Sequence, residues 1–328
     1  MTKIKLSIVI PTVKYTKYLD KAISSCLNLK YVEPKIFVNI NSSSKDFEQS
    51  SFWNDQRVQW RYINKTTSIM IESINDAVDN SDGNWLFILS DDDVLHHNFM
   101  KDVDFNNMTK QSIFLTRIDV IDVNDTIIRI NKNYKKNIYN KDEAMKLFFN
   151  HEIHHHLSLM VFSRDLYEKI GKFTFSGYPN GYYNDTIFHG KAIANSDQVF
   201  TSKEVMFSRR ESSFQGSSLY YFSKEINIYF KVIVDAFFKD ENFKKEVLNR
   251  YGSKESFSRS EIQHRFDIDF YKFFYPIYNA GIKDKIKFIY SFLFFWDTGI
   301  IFKIRCLTYR IVIMYLRIKI NKLIKWSN

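Results

Sequence analysis

The stretch WLFILSDDDVL, residues 85–95, ends an apolar run with three adjacent aspartates at positions 91–93. The apolar part has the length and composition of a buried strand. Three successive carboxylates repel one another unless they are solvated, cap a helix or bind a cation. One interpretation is that the second or third aspartate caps a helix through Phe99 and Val103. The other is a loop that holds Mg²⁺ or Mn²⁺ together with substrate phosphates.

The residues before this stretch alternate between short apolar runs and helical periodicity. We predict strands at 4–10, 35–40, 58–63 and 85–90, and helices at 16–29 and 67–80. This alternation indicates βαβ units and a mostly parallel sheet flanked by helices, an α/β fold. Polar clusters at 12–16, 41–46 and 90–93 follow three of the strands. Since ligands bind beyond the carboxyl ends of parallel strands, these clusters predict one site.

Beyond residue 95 the alternation weakens. The pattern predicts two strands around a turn in 113–130, a helix at 141–150, a strand at 157–162, a helix to Ile170 with a stop at Gly171, and a helix opened by Asn184 or Asp185. From about residue 219 onward the pattern is nearly all helical. We therefore predict an α/β domain at 1–218, whose regular first part is 1–115 and whose less regular second part is 116–218, followed by a helical region at 219–328.

Composition excludes several classes of protein. The chain has 328 residues, 45% of them hydrophobic, and only nine Gly and four Pro, which argues against disorder and low-complexity linkers. Cys26 and Cys306 are its two cysteines and show no metal-binding spacing, so they indicate reduced thiols in the cytoplasm. The aspartate loop does not fit an EF-hand, and no glycine-rich phosphate loop is present.

Four motifs occur in one order: LSIVIPT…YLDKAISSCLN, IFVNINSSSKD, SINDAVDNSDGNWLFILSDDDVL and LMVFSRDLYEKIGKFTFSGYPNGYYNDTIFHGKA. Together they resemble family 2 glycosyltransferases of the GT-A fold, of the type that builds bacterial surface polysaccharide, over roughly residues 4–215. The resemblance implies transfer of a sugar from a nucleotide-diphosphate donor to a hydroxyl, with inversion at the anomeric carbon. It also implies a divalent cation, Mn²⁺ or Mg²⁺, as cofactor. Within the catalytic domain at 1–218, the resemblance assigns residues 1–115 to the binding of the nucleotide sugar and residues 116–218 to the acceptor side.

The resemblance assigns roles to matching positions. The family's D-x-D-D run falls on Ser90 to Asp93, so Asp93 is expected to bind the metal directly, with Asp91 and Asp92 contacting the metal or the donor. The donor contacts implied are Pro11, Thr12, Asn41, Asn75, Asp91 and Asp92. Asn41 stands where the family usually has an aspartate that contacts the nucleobase.

The catalytic base implied by the resemblance is Asp185, the second residue of an acidic pair whose first member is Asn184 here. A carboxylate in hydrogen-bond reach of the acceptor hydroxyl can remove its proton during attack. Taken from the residues alone, the pattern favours Asp185 as an N-cap for the helix that follows.

Further side chains are candidates for acceptor or phosphate contacts: His156, Tyr182, Asn184, Arg209 and Arg210. The run of three histidines at 154–156 also suggests zinc, but adjacent residues on an extended chain point to opposite faces. The arginines follow a predicted strand, where one could bind phosphate or both could form a solvated pair.

The net charge of +10 is concentrated at the end of the chain, because residues 281–328 carry ten Lys and Arg against two Asp. An apolar run at 288–302 precedes a segment with an apolar stripe and basic residues, which predicts an interfacial helix on anionic lipid. A helical subdomain packed on the enzyme is the alternative. No nucleic-acid recognition motif accompanies the charge.

The resemblance and the basic tail together imply an inverting, metal-dependent hexosyltransferase on the cytoplasmic face of the cell membrane. Its acceptor would be a lipid-linked saccharide in O-antigen or capsule synthesis. Two alternatives are a sugar-1-phosphate nucleotidyltransferase and a non-catalytic binding protein that keeps the fold.

Overall fold

A computed structural model describes residues 4–63, 70–101, 103, 105–131, 133–153, 155–174, 183–211 and 226–261. The chain divides into two compact units, one made of residues 1–218 and 232–250 and the other of residues 219–231 and 251–328. The predicted basic tail at 281–328 lies outside the described residues. Among the helices that are described, none combines the length and the apolar composition needed to cross a membrane.

The first part of the sheet is parallel, as the sequence predicts. It consists of β1 (Ile4–Thr12), α1 (Lys17–Leu27), β2 (Val32–Ile40), β3 (Val58–Tyr62), α2 (Met70–Asp79) and β4 (Trp85–Ile88). The strands lie in the order β3-β2-β1-β4. Thr16 caps α1 by accepting a hydrogen bond from the backbone of Tyr18, and the helix buries an apolar face on the sheet.

The second part of the sheet is mixed. It contains β5 (Val94–Leu95), β6 (Ile113–Ile121), β7 (Ile127–Ile130), β8 (Ile138–Asn140), α3 (Lys141–Phe149), β9 (Met160–Ser163), α4 (Arg164–Lys169), α5 (Asn184–Ala194) and β10 (Gln198–Arg210). The sheet continues β4-β9-β6-β10-β5, with β9 antiparallel to both of its neighbours. The helices α6 (Ile226–Phe237) and α7 (Glu241–Tyr251) follow. The α/β class is confirmed, and antiparallel pairing beyond β4 is the feature that the alternation did not predict.

The segment after the three aspartates is not the helix that one interpretation expected. The backbone N–H of Asp93 closes a turn on the carbonyl of Ser90, and residues 94–95 then pair with β10. Phe99 lies among turns, so no aspartate of this loop caps a helix there. Residues Leu157–Leu159 form a short 3₁₀ helix before β9, where the sequence predicted strand. The stop at Gly171 is confirmed, since this residue adopts a φ of +77° just after α4.

Strand direction brings several chain segments to one edge of the sheet. The carboxyl ends of β1, β2, β4 and β10 meet there, together with the start of the antiparallel strand β9. Aromatic packing then fixes α5 against the sheet, because the rings of Phe173 and Phe188 stack at 3.9 Å and Phe188 also contacts Phe162 of β9. These ring contacts fix the position of α5 relative to the sheet within the first unit.

Candidate active site

The loops after β1 and β4 are joined by a short hydrogen bond. Oγ1 of Thr12 donates to Oδ2 of Asp91 at 2.6 Å. The backbone N–H of Asn41 donates to the carbonyl of Thr12 at 2.9 Å, which ties the loop after β2 to the same place. Three of the positions expected to contact the donor are thus brought together at the predicted edge.

The three aspartates have different surroundings. Burial raises the pKa of Asp91 to about 6; the Thr12 hydrogen bond opposes this effect and the charge of Asp92 adds to it. Burial also raises the pKa of Asp92, while the positive charges of Arg210 and Arg209 act in the opposite direction. Both side chains are half-buried and lie in the turn between Ser90 and Asp93.

Asp93 faces the protein interior. Its Oδ1 accepts a hydrogen bond from the backbone N–H of Arg210 at 2.9 Å, and its Oδ2 accepts one from Oγ of Ser158 at 3.1 Å. The side chain is 1% exposed, and burial together with the charge of Asp92 raises its pKa well above the usual range. With both oxygens already engaged, Asp93 attaches the loop to β10 and to the 3₁₀ helix that precedes β9. This geometry favours Asp91 and Asp92 as the carboxylates that face a ligand.

Ser158 is a member of this network that sequence reasoning missed. Its Oγ accepts a hydrogen bond from the backbone N–H of Ser90 at 3.0 Å while it contacts Asp93. The residue lies in the short 3₁₀ helix before β9 and is fully buried. A serine in an apolar run gives no sequence signal for this role.

His156 lies beside the acidic loop as a neutral imidazole. Its Nδ1 accepts a hydrogen bond from the backbone N–H of Ser158 at 3.3 Å, which leaves the proton on Nε2. Burial and the nearby charge of Arg209 lower its pKa to about 3. The ring stacks on Phe207 of β10 with centroids 5.9 Å apart.

The zinc interpretation of the histidine run has no support in the described residues. No three His, Cys, Asp or Glu side chains come together as a metal-binding group within that part of the chain. The ring of His155 stacks instead on His189 of α5, with the two Nδ1 atoms 3.4 Å apart. His154 lies outside the described residues, as does Tyr182.

Asp185 is the second residue of α5. The residue before the helix is Tyr183, which has a φ of +68° and provides no side-chain cap, so Asp185 is not the N-cap that the residues alone allowed. Its Oδ1 accepts a hydrogen bond from the backbone of Thr186 at 2.7 Å. Burial raises the pKa of the Asp185 carboxyl, while the charge of Arg209 partly offsets this effect. Asn184, next to it, is buried.

The two arginines at the end of β10 differ from each other. Arg210 is 1% exposed; it donates to the carbonyls of Asp92 and Asp122 and pairs with Asp125. It is neither a solvated residue nor open to a phosphate, and its role is to bind loops together. The side chain of Arg209 is 27% exposed and lies 3.8 Å from Glu211.

Arg209 connects the two halves of the site electrostatically. Its positive charge lowers the pKa of Asp92, Asp93 and Asp185 against the effect of burial, and it lowers the pKa of His156. Coulomb effects of this kind weaken with distance, so Arg209 lies in the neighbourhood of both the acidic loop and the start of α5.

Asn75 and Pro11, two further positions expected to contact the donor, make contacts that hold elements of the fold together. The side chain of Asn75 donates to the carbonyl of Phe173 and accepts hydrogen bonds from its N–H and from the hydroxyl of Tyr167. It thereby attaches α2 to the segment that leads to α5. Pro11 lies in β1 opposite Asn39 of β2.

Comparisons with known proteins agree with this architecture. The family model described as Glycosyl transferase family 2 matches residues 7–171, which is half of the chain. The crystal structure of S. aureus TarS 1–349 in complex with UDP-GlcNAc superposes with a TM-score of 0.61 at 14% identity, covering 89% of this chain and 80% of that one. The same TarS fragment without that ligand gives a TM-score of 0.59 at 13% identity, covering 88% and 79%. At such identities the likeness shows a shared fold. No curated protein matches the sequence significantly.

Proposed function

This chain belongs to glycosyl transferase family 2, and on that premise we propose that it transfers a sugar, with inversion, from a nucleotide diphosphate to a hydroxyl of a lipid-linked saccharide. Family membership favours glycosyl transfer over the nucleotidyltransferase alternative. The TarS complexes with UDP-GlcNAc and with UDP make uridine nucleotides the first donors to test.

One observation carries the proposal: His156 lies 3.6 Å from Asp93 of the acidic loop, and its neighbour His155 stacks on His189, one helical turn after Asp185 in α5. The acidic loop and Asp185 therefore flank a common space at the carboxyl edge of the sheet. If the donor's diphosphate binds at the loop, the anomeric carbon of its sugar would lie between the loop and Asp185. An acceptor hydroxyl next to Asp185 could then attack this carbon from the side opposite to the leaving diphosphate, as direct displacement requires.

We assign proton removal to Asp185. A buried carboxylate with a raised pKa takes a proton from a hydroxyl more readily than an exposed one, and a base in hydrogen-bond reach contributes about 10²–10⁴-fold to the rate. Asp185 is held on a helix that stacks through Phe188 onto Phe173, so its position is set by the core.

We assign charge stabilisation on the leaving diphosphate to Arg209. A planar guanidinium can donate two parallel hydrogen bonds to phosphate oxygens, and such charge-assisted bonds strengthen as negative charge develops. Arg210 holds its neighbour in place, because its backbone N–H and guanidinium are bound to the acidic loop.

Asp91 and Asp92 suit a divalent cation. They are adjacent, half-buried carboxylates whose pKa values are raised by burial. A cation bound between them would stabilise their ionised forms. Mg²⁺ and Mn²⁺ sites for nucleotides use one or two carboxylates, with phosphates and water as the remaining ligands. When bound, such an ion would neutralise charge on the diphosphate.

The acceptor and the cellular location are proposed from the sequence. A lipid-linked saccharide at the cytoplasmic face of the membrane accounts for a basic, apolar tail on a transferase. We propose peripheral attachment there and a role in the synthesis of a surface polysaccharide such as an O-antigen or capsule.

A thermal-shift screen tests donor binding first. UDP, GDP, dTDP and CMP are compared with and without Mn²⁺, because a ligand of the folded state raises the melting temperature. We expect one nucleoside diphosphate to stabilise the protein, and more strongly with the ion. Transfer from the matching sugar nucleotide to membrane lipid extracts then tests catalysis. Binding without transfer of any sugar would support the non-catalytic alternative.

A further inference from the structure

The hairpin of β6 and β7 exposes an unusual amount of apolar surface. Ile127, Ile128 and Ile130 of β7 are 54%, 53% and 55% exposed, and Val123 in the turn is 44% exposed. Successive side chains of a strand point to opposite faces. Because all of β7 is exposed, the strand presents isoleucine to solvent on both of its faces.

The hairpin turn is attached to the candidate active site. The hydroxyl of Tyr18, on α1, donates to the carbonyl of Val123 at 3.3 Å. The guanidinium of Arg210 donates to the carbonyl of Asp122 and pairs with Asp125. Its central carbon, Cζ, lies over the Tyr18 ring, 4.3 Å from the ring centroid. The apolar strand therefore extends from a turn that is fixed beside the last residues of β10.

Exposed basic side chains lie in the hairpin and on the neighbouring part of the chain. Lys14 and Lys17 are exposed near α1, and Arg129 is exposed between the isoleucines. The acidic residues of the turn are already engaged. Asp125 pairs with Lys21 and with Arg210, while the Asp122 carboxylate accepts the backbone N–H groups of Asn124 and Thr126.

We propose that the hairpin, residues 121–130, inserts its β7 isoleucines into the headgroup region of an anionic lipid bilayer. A folded protein partner docking on one face of β7 would leave the isoleucines of the other face in water. A fluid lipid surface can surround both faces, and exposed lysine and arginine attract anionic headgroups. This surface belongs to the first unit and is separate from the basic tail.

Insertion would orient the candidate active site toward the bilayer. This part of the inference rests on the proposed function, since it gives a membrane-tethered acceptor direct access to the edge where Asp185 and Arg209 lie. Lipid binding itself is measured without any donor or acceptor, so the two proposals fail independently.

The test places an environment-sensitive fluorophore on the hairpin of the full chain. Ile128→Cys is labelled in a Cys306→Ser background, because Cys26 is buried. The matched control is Leu248→Cys on α7, an exposed apolar residue of the same unit. With phosphatidylcholine vesicles containing phosphatidylglycerol, we expect brighter, blue-shifted emission and quenching by spin-labelled lipid at position 128 alone.

A second variant measures the contribution to affinity. Ile128→Ser with Ile130→Ser should weaken partition into the same vesicles about tenfold at unchanged melting temperature, because these side chains are exposed in the folded protein. Unchanged emission at position 128 would overturn the proposal. An emission change that follows protein concentration without lipid would also overturn it and would assign β7 to a contact with a second copy.

Discussion

Thr12 donates a 2.6 Å hydrogen bond from its hydroxyl to the carboxylate of Asp91, 79 residues farther along the chain. This contact joins the loops that follow β1 and β4. It forms because parallel pairing of these neighbouring strands places their carboxyl ends side by side. Hydrogen bonds from Thr12 and from the backbone only partly offset the burial of this carboxylate and the charge of Asp92, and the pKa of Asp91 is raised to about 6 as a result.

Asp91→Asn should therefore stabilise the protein. The folded pKa of about 6 lies above the ordinary value of 3.8, so between those values the folded state binds more protons than the unfolded state. Stability then falls as pH rises through this window. The variant should gain about 1–3 kcal/mol at neutral pH while keeping the Thr12 hydrogen bond.

Urea unfolding at several pH values checks this expectation. The variant should lose stability less steeply between about pH 4 and pH 6 than the parent, with Asp92 and Asp93 providing what slope remains. A variant that is less stable at neutral pH and equally steep would contradict the assignment. The same substitution should remove the extra stabilisation by nucleotide that depends on Mn²⁺.

Arg209→Gln should mainly lower turnover, whereas Arg210→Gln should mainly lower stability. Loss of the Arg209 guanidinium should lower kcat by about 10²–10³-fold with little effect on unfolding, because it removes a donor to the leaving group. Loss of Arg210 should cost about 3–5 kcal/mol, because its buried hydrogen bonds to two loops and its pair with Asp125 are broken. Equal effects of both changes on stability would remove Arg209 from the proposed mechanism.

Asn75→Ala should act on stability. The change removes hydrogen bonds to both backbone groups of Phe173 and to the buried hydroxyl of Tyr167, at a cost of about 2–4 kcal/mol. The donor role that the family resemblance implies predicts weaker nucleotide binding in addition. Calorimetric titration with the nucleotide identified by thermal shift separates the two roles, and the contacts seen favour unchanged affinity.

Gly190→Ala tests the packing behind Asp185. A Cβ at this position of α5 would come within 2.8 Å of the rings of Phe148, Phe237 and Phe243. Overpacking of this kind costs about 1–3 kcal/mol, and a shift of α5 should also lower turnover. Gly171→Ala is the contrast. Its Cβ meets nothing, so only the strain of a φ of +77° remains, about 1–2 kcal/mol without loss of turnover.

Much of the fold was predictable because, in the first part of the chain, the hydrophobic pattern of each segment matches the burial of the strand or helix that it forms. The apolar runs that became β1, β2 and β4 lie in the buried centre of the sheet, and the run that became β3 forms an edge of it. The turn around Asp125 and the stop at Gly171 follow from ordinary turn and cap chemistry. The grouping of Thr12, Asn41 and Asp91 followed from strand direction alone.

The rest depended on contacts between distant segments. Whether the aspartate loop opens a helix is decided by Arg210 of β10 and by Ser158 of the 3₁₀ helix before β9, which bind Asp93 from far along the chain. Adjacent arginines give one sequence signal, but alternation along β10 buries Arg210 and leaves Arg209 partly open. Antiparallel insertion of β9 between β4 and β6 is equally invisible to periodicity.

The central claim is that Asp185 removes the acceptor proton while the acidic loop binds the donor. Turnover and donor affinity of Asp185→Asn test it most directly. Asp142→Asn is the matched control, an exposed aspartate at the second position of α3 as Asp185 is of α5. The account predicts that Asp185→Asn binds donor like the parent and turns over about 10²–10⁴-fold more slowly, with the control unaffected. Unchanged turnover in Asp185→Asn would contradict the account.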